Sequence, residues 1–186
     1  MSDAIIEDEA AYVAELERHR AAKDDYLATD HHSPIPAAER DEFTGLSYYE
    51  PDPAYRVAAT VEPIAGEDTF EMEMTAGQPR TYRRVARLAF DLNGEARSLY
   101  AYEQVGGHAH GSLFVPFRDE TSGEETYGAG RYMEFEVEGD LAEVEAVPLD
   151  FNLAYFPFCA YNEAFACPIT PLENRLATRV EAGERF

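Results

Sequence analysis

Arg131 and Arg175 are the side chains in this sequence best suited to bind or polarise another molecule. Each stands among apolar and aromatic neighbours, in a chain with only 15 basic residues against 37 acidic ones. A guanidinium aimed into a pocket presents a planar fork of N–H donors that matches a carboxylate or phosphate. The competing role is a structural ion pair, for which Asp150 and Glu173 are the nearest candidate partners. Long charged side chains are rarely buried unless paired, so the structural role is favoured.

A second group surrounds the run Phe117-Arg118-Asp119-Glu120-Thr121-Ser122-Gly123. An Asp side chain caps backbone amides two residues on, Ser and Thr do so more weakly, and Gly supplies positive φ, so the run describes a tight turn. The functional alternative places Arg118, Asp119 and Tyr127 at a barrel mouth, holding a polar ligand. Further along, Asp150, Asn152, Tyr161, Asn162 and Asn174 are polar groups in a stretch with no regular period. They can anchor a ligand or satisfy the backbone around them. Asp119 or Asp150 is also the natural choice for a carboxylate base, if the protein is a hydrolase.

Cys159 and Cys167 are the only cysteines. Reduced thiols, a disulfide, zinc ligation and a nucleophilic role all remain open for them, and a cytosolic setting favours reduced thiols. Zinc would need two more ligands, which His108 and His110 could supply, but CxxC spacing is absent and the flanking glycines suggest an exposed loop. No metal is favoured, and no cofactor is implied. Phosphate-loop, dinucleotide and nucleophile-elbow motifs are missing. The aromatic cluster of Tyr155, Phe156, Phe158, Tyr161 and Phe165 could stack on a ring-shaped ligand, although such clusters more often plug a core.

The elements that must position these groups follow from periodicity. Residues from Asp3 to Leu27 carry a helical stripe through Ile6, Ala10, Val13 and Leu16. Residues Ala37 to Phe43 suggest a short second helix, with Gly45 as a cap. From Tyr55 the period changes to two. Tyr55 to Val61, Phe70 to Met74, Ala86 to Leu92, Leu99 to Tyr102, Leu113 to Phe117 and Met133 to Val137 alternate as strands. Asn93-Gly94 marks a two-residue hairpin. Gly139-Asp140 is expected to turn the Met133 strand back into Ala142 to Val147. Residues 148–186 are aromatic and proline-rich, and should wrap across a sheet or cover a barrel end.

The pattern predicts a mainly β chain with an N-terminal helix (α+β), built on an antiparallel barrel or sandwich. It reads as a single domain over residues 1–186: helical 1–45, β core 48–147, irregular wrap 148–186. Hydrophobic residues at 45% and aromatics at 12% suffice for a core. The net charge of −22 removes the basic footprint that nucleic-acid binding or an anionic membrane surface would need. No apolar run approaches a membrane span and no signal peptide is visible, so a cytoplasmic location is expected. Lys23 is the only lysine, and carboxylates are spread along the whole chain. That combination points to solvation in concentrated salt.

Phe117 to Gly123, with Tyr127 and Arg131-Tyr132, forms one motif. Asp150-Phe151-Asn152-Leu153-Ala154-Tyr155, Cys159-Ala160-Tyr161-Asn162, Cys167-Pro168, Pro171, Asn174-Arg175-Leu176 and Ala182-Gly183-Glu184 form another. Together they resemble the prokaryotic domain-of-unknown-function family numbered 1684, with a departure before Cys159, where Pro157 is followed by Phe158 rather than a second proline. The resemblance implies a grouping and no reaction. The residues themselves favour a small-molecule-binding β-barrel with a polar or anionic ligand. A hydrolase-like enzyme and a protein-interaction module are the alternatives. Arg131 is expected to contact the Asp150 to Arg175 segment, with the nearest pocket beside that contact.

Overall fold

The computed structural model describes residues 8–106, 112–137 and 139–186. Asp8 caps the first helix, α1 (Glu9–Thr29), by accepting from the Ala11 amide. The expected start at Asp3 lies outside the described residues, as do His108 and His110. Only Leu16 and Leu27 of α1 are buried, so polar contacts do much of the docking. Tyr12 donates to Asp150 at 2.9 and 3.0 Å, and Arg20 donates to the Tyr49 carbonyl at 3.0 Å. The short second helix is a single 3-10 turn, Arg40–Glu42. Gly45 does not cap it. Its φ of +110° and the absence of a side chain let the loop approach α1, where a Cβ would meet Asp24 at 3.0 Å.

The strands are β1 (Ser47–Tyr48), β2 (Arg56–Pro63), β3 (Thr69–Met72), β4 (Arg80–Leu92), β5 (Glu95–Gln104), β6 (Ser112–Phe117), β7 (Arg131–Glu136), β8 (Ala146–Asp150) and β9 (Glu184–Arg185). Seven form one antiparallel sheet, ordered β7-β6-β5-β4-β2-β8 with β3 beside the start of β4. The remaining two, β1 and β9, pair as a separate ribbon. The large sheet curls into a half-barrel, so the fold is mostly antiparallel β with one N-terminal helix. The barrel is not closed, because β7 and β8 are its two edges.

Asn93 and Gly94 turn β4 into β5 with φ of 56° and 80°. A bulge between Arg84 and Ala86 bends the long β4, which pairs with β3 before it and with β2 after it. One expected hairpin is absent. Met133 to Phe135 does not fold back on the following strand; β8 crosses to the far edge and pairs with β2. β7 ends at Glu136 and β8 begins at Ala146, with the 3-10 turn Leu141–Glu143 before it. Met74 also lies beyond β3, in an isolated bridge to Pro168.

Alternation gives the sheet two covered faces. Val61, Leu88, Leu99, Val115, Met133 and Leu149 point one way, into a core closed by Phe151, Leu176, Val180 and Ala182. Tyr82, Tyr102, Phe114 and Tyr132 point the other way. Pro116 in β6 has no N–H for a ladder, and β5 and β6 share a single register pair, Tyr102 with Phe114. Asn174 fills the gap. Its amide donates to the carbonyls of Tyr100 and Pro116 at 2.9 and 2.7 Å, and its Oδ1 accepts from the Tyr100 amide at 2.7 Å.

Candidate functional site

The polar residues singled out in the sequence hold the chain together at several places. Arg131 leaves β7 on the core face and is wholly buried. It donates to the carbonyls of Val180 (2.8 Å), Ala182 and Glu184 (3.3 Å), and to Asp119 Oδ1 at 3.4 Å. Its guanidinium also lies over the Phe117 ring, 5.1 Å from the centroid. Burial pulls its pKa below the ordinary arginine value, and the Asp119 charge opposes that shift. Asp119 accepts in addition from the Val180 amide at 2.7 Å and from Thr121 Oγ1 at 2.9 Å.

The contact therefore falls beyond Arg175, at Val180 to Glu184, and not within Asp150 to Arg175 as expected. The reason is the side of β6 that each segment takes. Phe117 pairs with Arg131 of β7, whereas Arg118 bridges Arg175 on the opposite side of β6, so only the later residues Val180 to Glu184 come round to the Arg131 guanidinium.

Most of the other candidates are engaged as well, but the side chains of Arg118 and Arg175 bond to no described residue. Arg118 uses its amide and carbonyl on Asn174 and Leu176, and the Arg175 side chain is exposed. Asp150 takes Tyr12 and the Asn152 amide, and Asn152 makes two bonds to the backbone of Asp52. Tyr161 donates to Glu184 at 2.7 Å, and Asn162 donates to the Pro34 carbonyl at 3.0 Å. Tyr127 sits 3.7 Å from Cys159 Sγ.

None of these residues lines the main aromatic cavity. That cavity measures about 370 Å³ and lies on the second face of the sheet, opposite the filled core. Its floor is Tyr82, Tyr102, Phe114 and Tyr132, one from each of β4 to β7. Its wall is Tyr155, Phe158, Phe165 and Cys167 from the irregular C-terminal segment. Arg80, Gln104, Ser112 and Glu134 add polar groups. A second cavity of about 380 Å³ lies under the residues linking β7 to β8, but of the three charged groups in its wall Arg83 and Glu103 bond to each other and Asp140 accepts from the Ala142 amide.

Specific contacts hold the aromatic wall in place. Tyr155 pairs with Tyr132 backbone to backbone at 2.9 and 3.0 Å. Cys167 exchanges hydrogen bonds with Thr75, and Tyr132 donates its hydroxyl to the Pro168 carbonyl. Phe114 meets Tyr132 edge-on at 4.7 Å, and Phe158 meets Phe165 likewise at 5.4 Å. Both cysteines are free thiols, and the Cys159 amide donates to Cys167 Sγ at 3.2 Å.

Burial raises the pKa values of the phenols of Tyr82, Tyr102, Tyr132 and Tyr155, and pushes the Cys167 thiol up to about 12. These groups keep their protons at neutral pH, so the cavity offers rings and donors rather than an activated nucleophile. Among the described residues, one group brings three metal-ligating atoms together: Asp30, His31 and His32, past the exposed end of α1.

Residues 41–185 match the family model described as "Protein of unknown function (DUF1684)". The chain belongs to this family. It is also similar to an uncharacterised protein from Haloarcula marismortui whose solution NMR structure is known, with 45% identity over 98% of both chains and a TM-score of 0.75. None of the curated proteins matches it. The aromatic cavity of this DUF1684 protein lies wholly inside the matched region, whereas α1 precedes it. Among the described residues, no helix is long and apolar enough to cross a membrane.

Sequence reasoning named Tyr155, Phe158 and Phe165 as a possible ring-stacking cluster and did not reach the floor of the DUF1684 cavity. The available signal was in β5. Leu99 and Ala101 face one way, Tyr100 and Tyr102 the other, and a strand apolar on both faces is covered on both.

Proposed function

We propose that this protein binds a small molecule with a flat ring system in the aromatic cavity. The observation that carries the reading is the cavity itself. Its volume of about 370 Å³ falls within the usual range for small-ligand sites, and seven aromatic residues wall it. Ring edges and faces at several angles accept a flat guest through offset and edge-to-face contacts. The expected barrel interior is not the site in this reading, because core side chains fill it. The upward pKa values of the cavity phenols and thiol favour binding over nucleophilic chemistry.

The reading is tested by titrating the protein with naphthalene-type compounds and following amide shifts by NMR. The expected result is saturable shifts at Tyr102, Phe114 and Tyr132, lost in Ala166→Phe, which plugs the rim while the melting temperature holds. Shifts scattered over the surface, or absent with every compound, would remove the reading.

A further inference from the structure

We propose that the ligand of the aromatic cavity is an aromatic carboxylate, and that Arg80 is the residue that reads its charge. This rests on the reading of the cavity as a small-molecule site and adds the ligand's charge and orientation. Four arginines stand on β4. Arg83 bonds Glu103, Arg84 bonds Glu173 and Arg87 bonds Glu62. Arg80, on the same strand, has neither a hydrogen bond nor an ion pair to any described residue. In a chain with 37 acidic residues, a partner would be simple to supply. Arg80 instead stands in the cavity wall.

Its charge reaches into the cavity. The Arg80 guanidinium opposes the burial-driven rise of both the Tyr82 phenol and the Cys167 thiol, so it lies close to groups on the floor and on the wall. A planar fork of donors fits a carboxylate in two-point contact. Gln104 is placed to assist. Its Oε1 accepts from Tyr82 at 3.4 Å, which leaves its Nε2 donors unused among the described residues.

Glu134 sets the direction. It stands on β7, with β5 and β6 between it and Arg80's strand, although its charge, like that of Arg80, still reaches the Tyr82 phenol. Its charge repels an anion at that end and favours an N–H or O–H there. The ligand therefore lies with its carboxylate toward β4 and its ring over Tyr102 and Phe114.

An aromatic box also suits an organic cation, so the test includes one. The intact protein is titrated calorimetrically with 2-naphthoate, the neutral 2-naphthamide and the cationic 2-naphthylmethylammonium, in one buffer of high ionic strength. A hydrogen-bonded charge is expected to make naphthoate bind about tenfold or more tighter than the amide. Arg80→Gln should bring that ratio to about one, and Arg80→Lys should restore part of it. Arg80 is exposed and unpartnered, so both variants should melt with the wild type. Equal binding of acid and amide, tightest binding of the cation, or a ratio that survives Arg80→Gln would overturn the carboxylate assignment and leave the cavity as a ring site. Binding by none of the probes would remove the underlying reading as well.

Discussion

Arg131 Nη2 lies 3.4 Å from Asp119 Oδ1, with both side chains fully shielded from solvent. Desolvating two charges costs several kcal/mol each, so the pair persists only because other groups also bind both partners. Val180, Ala182 and Glu184 supply carbonyls to Arg131, and Val180 and Thr121 supply donors to Asp119. Arg131→Ala leaves those carbonyls and one carboxylate without a donor. It should destabilise the fold by about 3–5 kcal/mol, read as a lower urea midpoint. A loss below about 1 kcal/mol would show that the network is dispensable. Gly130 and Gly183 flank this network with positive φ, and a Cβ at either would come within 2.6 Å of a backbone carbonyl, so alanine there should act in the same direction.

Asn174 should matter for a different reason. Its side chain takes the place of ladder bonds that Pro116 cannot make. Asn174→Ala removes three hydrogen bonds at a fully buried site and should cost about 2–4 kcal/mol. Hydrogen exchange separates this from a general loss: the Tyr100 amide should lose protection beyond the global change, while amides in the β2–β8 pair follow it. Uniform loss would mean that Asn174 does not bridge β5 and β6.

Periodicity marks the strands, and Asn93-Gly94 marks their tightest turn, because those signals are local. The partner of β8 was not legible, since a period of two places a strand on a face but does not choose its neighbour. Arg131 was recognisable as a buried cation wanting a carboxylate. Its partner is Asp119, two residues past the Phe117 that pairs with Arg131, while Asp150 is taken by Tyr12 and Glu173 by Arg84, and such long-range pairings leave no local signal. The cavity was half legible. Its wall lay in one aromatic cluster, but its floor is assembled from four strands, and Arg80 reads as one charge among many until its missing partner is seen.

Alkali should unfold this protein sharply. Burial raises the phenols of Tyr48, Tyr82, Tyr102, Tyr132, Tyr155 and Tyr161 above the ordinary value of 10.0. A group whose pKa is higher folded than unfolded contributes stability that is fully present below the unfolded pKa. That stability declines as pH rises toward the folded pKa, because the unfolded chain releases the proton first. Each such tyrosine removes about 1.4 kcal/mol per pH unit above 10. Tyrosinate absorbance should therefore rise cooperatively, together with loss of circular dichroism. Gradual ionisation while the fold persists would mean that water reaches these phenols.

Cys167 should follow the same logic on the chemical side. Its thiol, raised by burial to about 12, is almost wholly protonated at neutral pH, and alkylation requires the thiolate. Iodoacetamide should label native protein far more slowly than unfolded protein, and a ring compound in the cavity should slow Cys167 further, because Cys167 forms part of the wall. Rapid labelling of folded protein would contradict both the burial and the absence of an activated thiol.

Salt tests the meaning of the acidity. Two effects oppose each other. Salt weakens exposed pairs such as Arg87–Glu62 and Arg179–Glu125, each worth about 0–1 kcal/mol. It also screens the mutual repulsion of a surface carrying a net charge of −22, as the Debye length falls from about 10 Å at 0.1 M to about 3 Å at 1 M. The pairs are few and the unpaired carboxylates many, so relief of repulsion should dominate. The melting temperature should climb by roughly 10 °C between low and molar salt, equivalent to about 3 kcal/mol for a chain of this size. The buried Arg131–Asp119 pair, shielded from ions, should contribute equally at both ends of the titration, so the Arg131→Ala penalty should be independent of salt. A melting temperature that falls or stays level would place the balance with the surface pairs, and the acidity would then need a partner rather than a solvent to explain it.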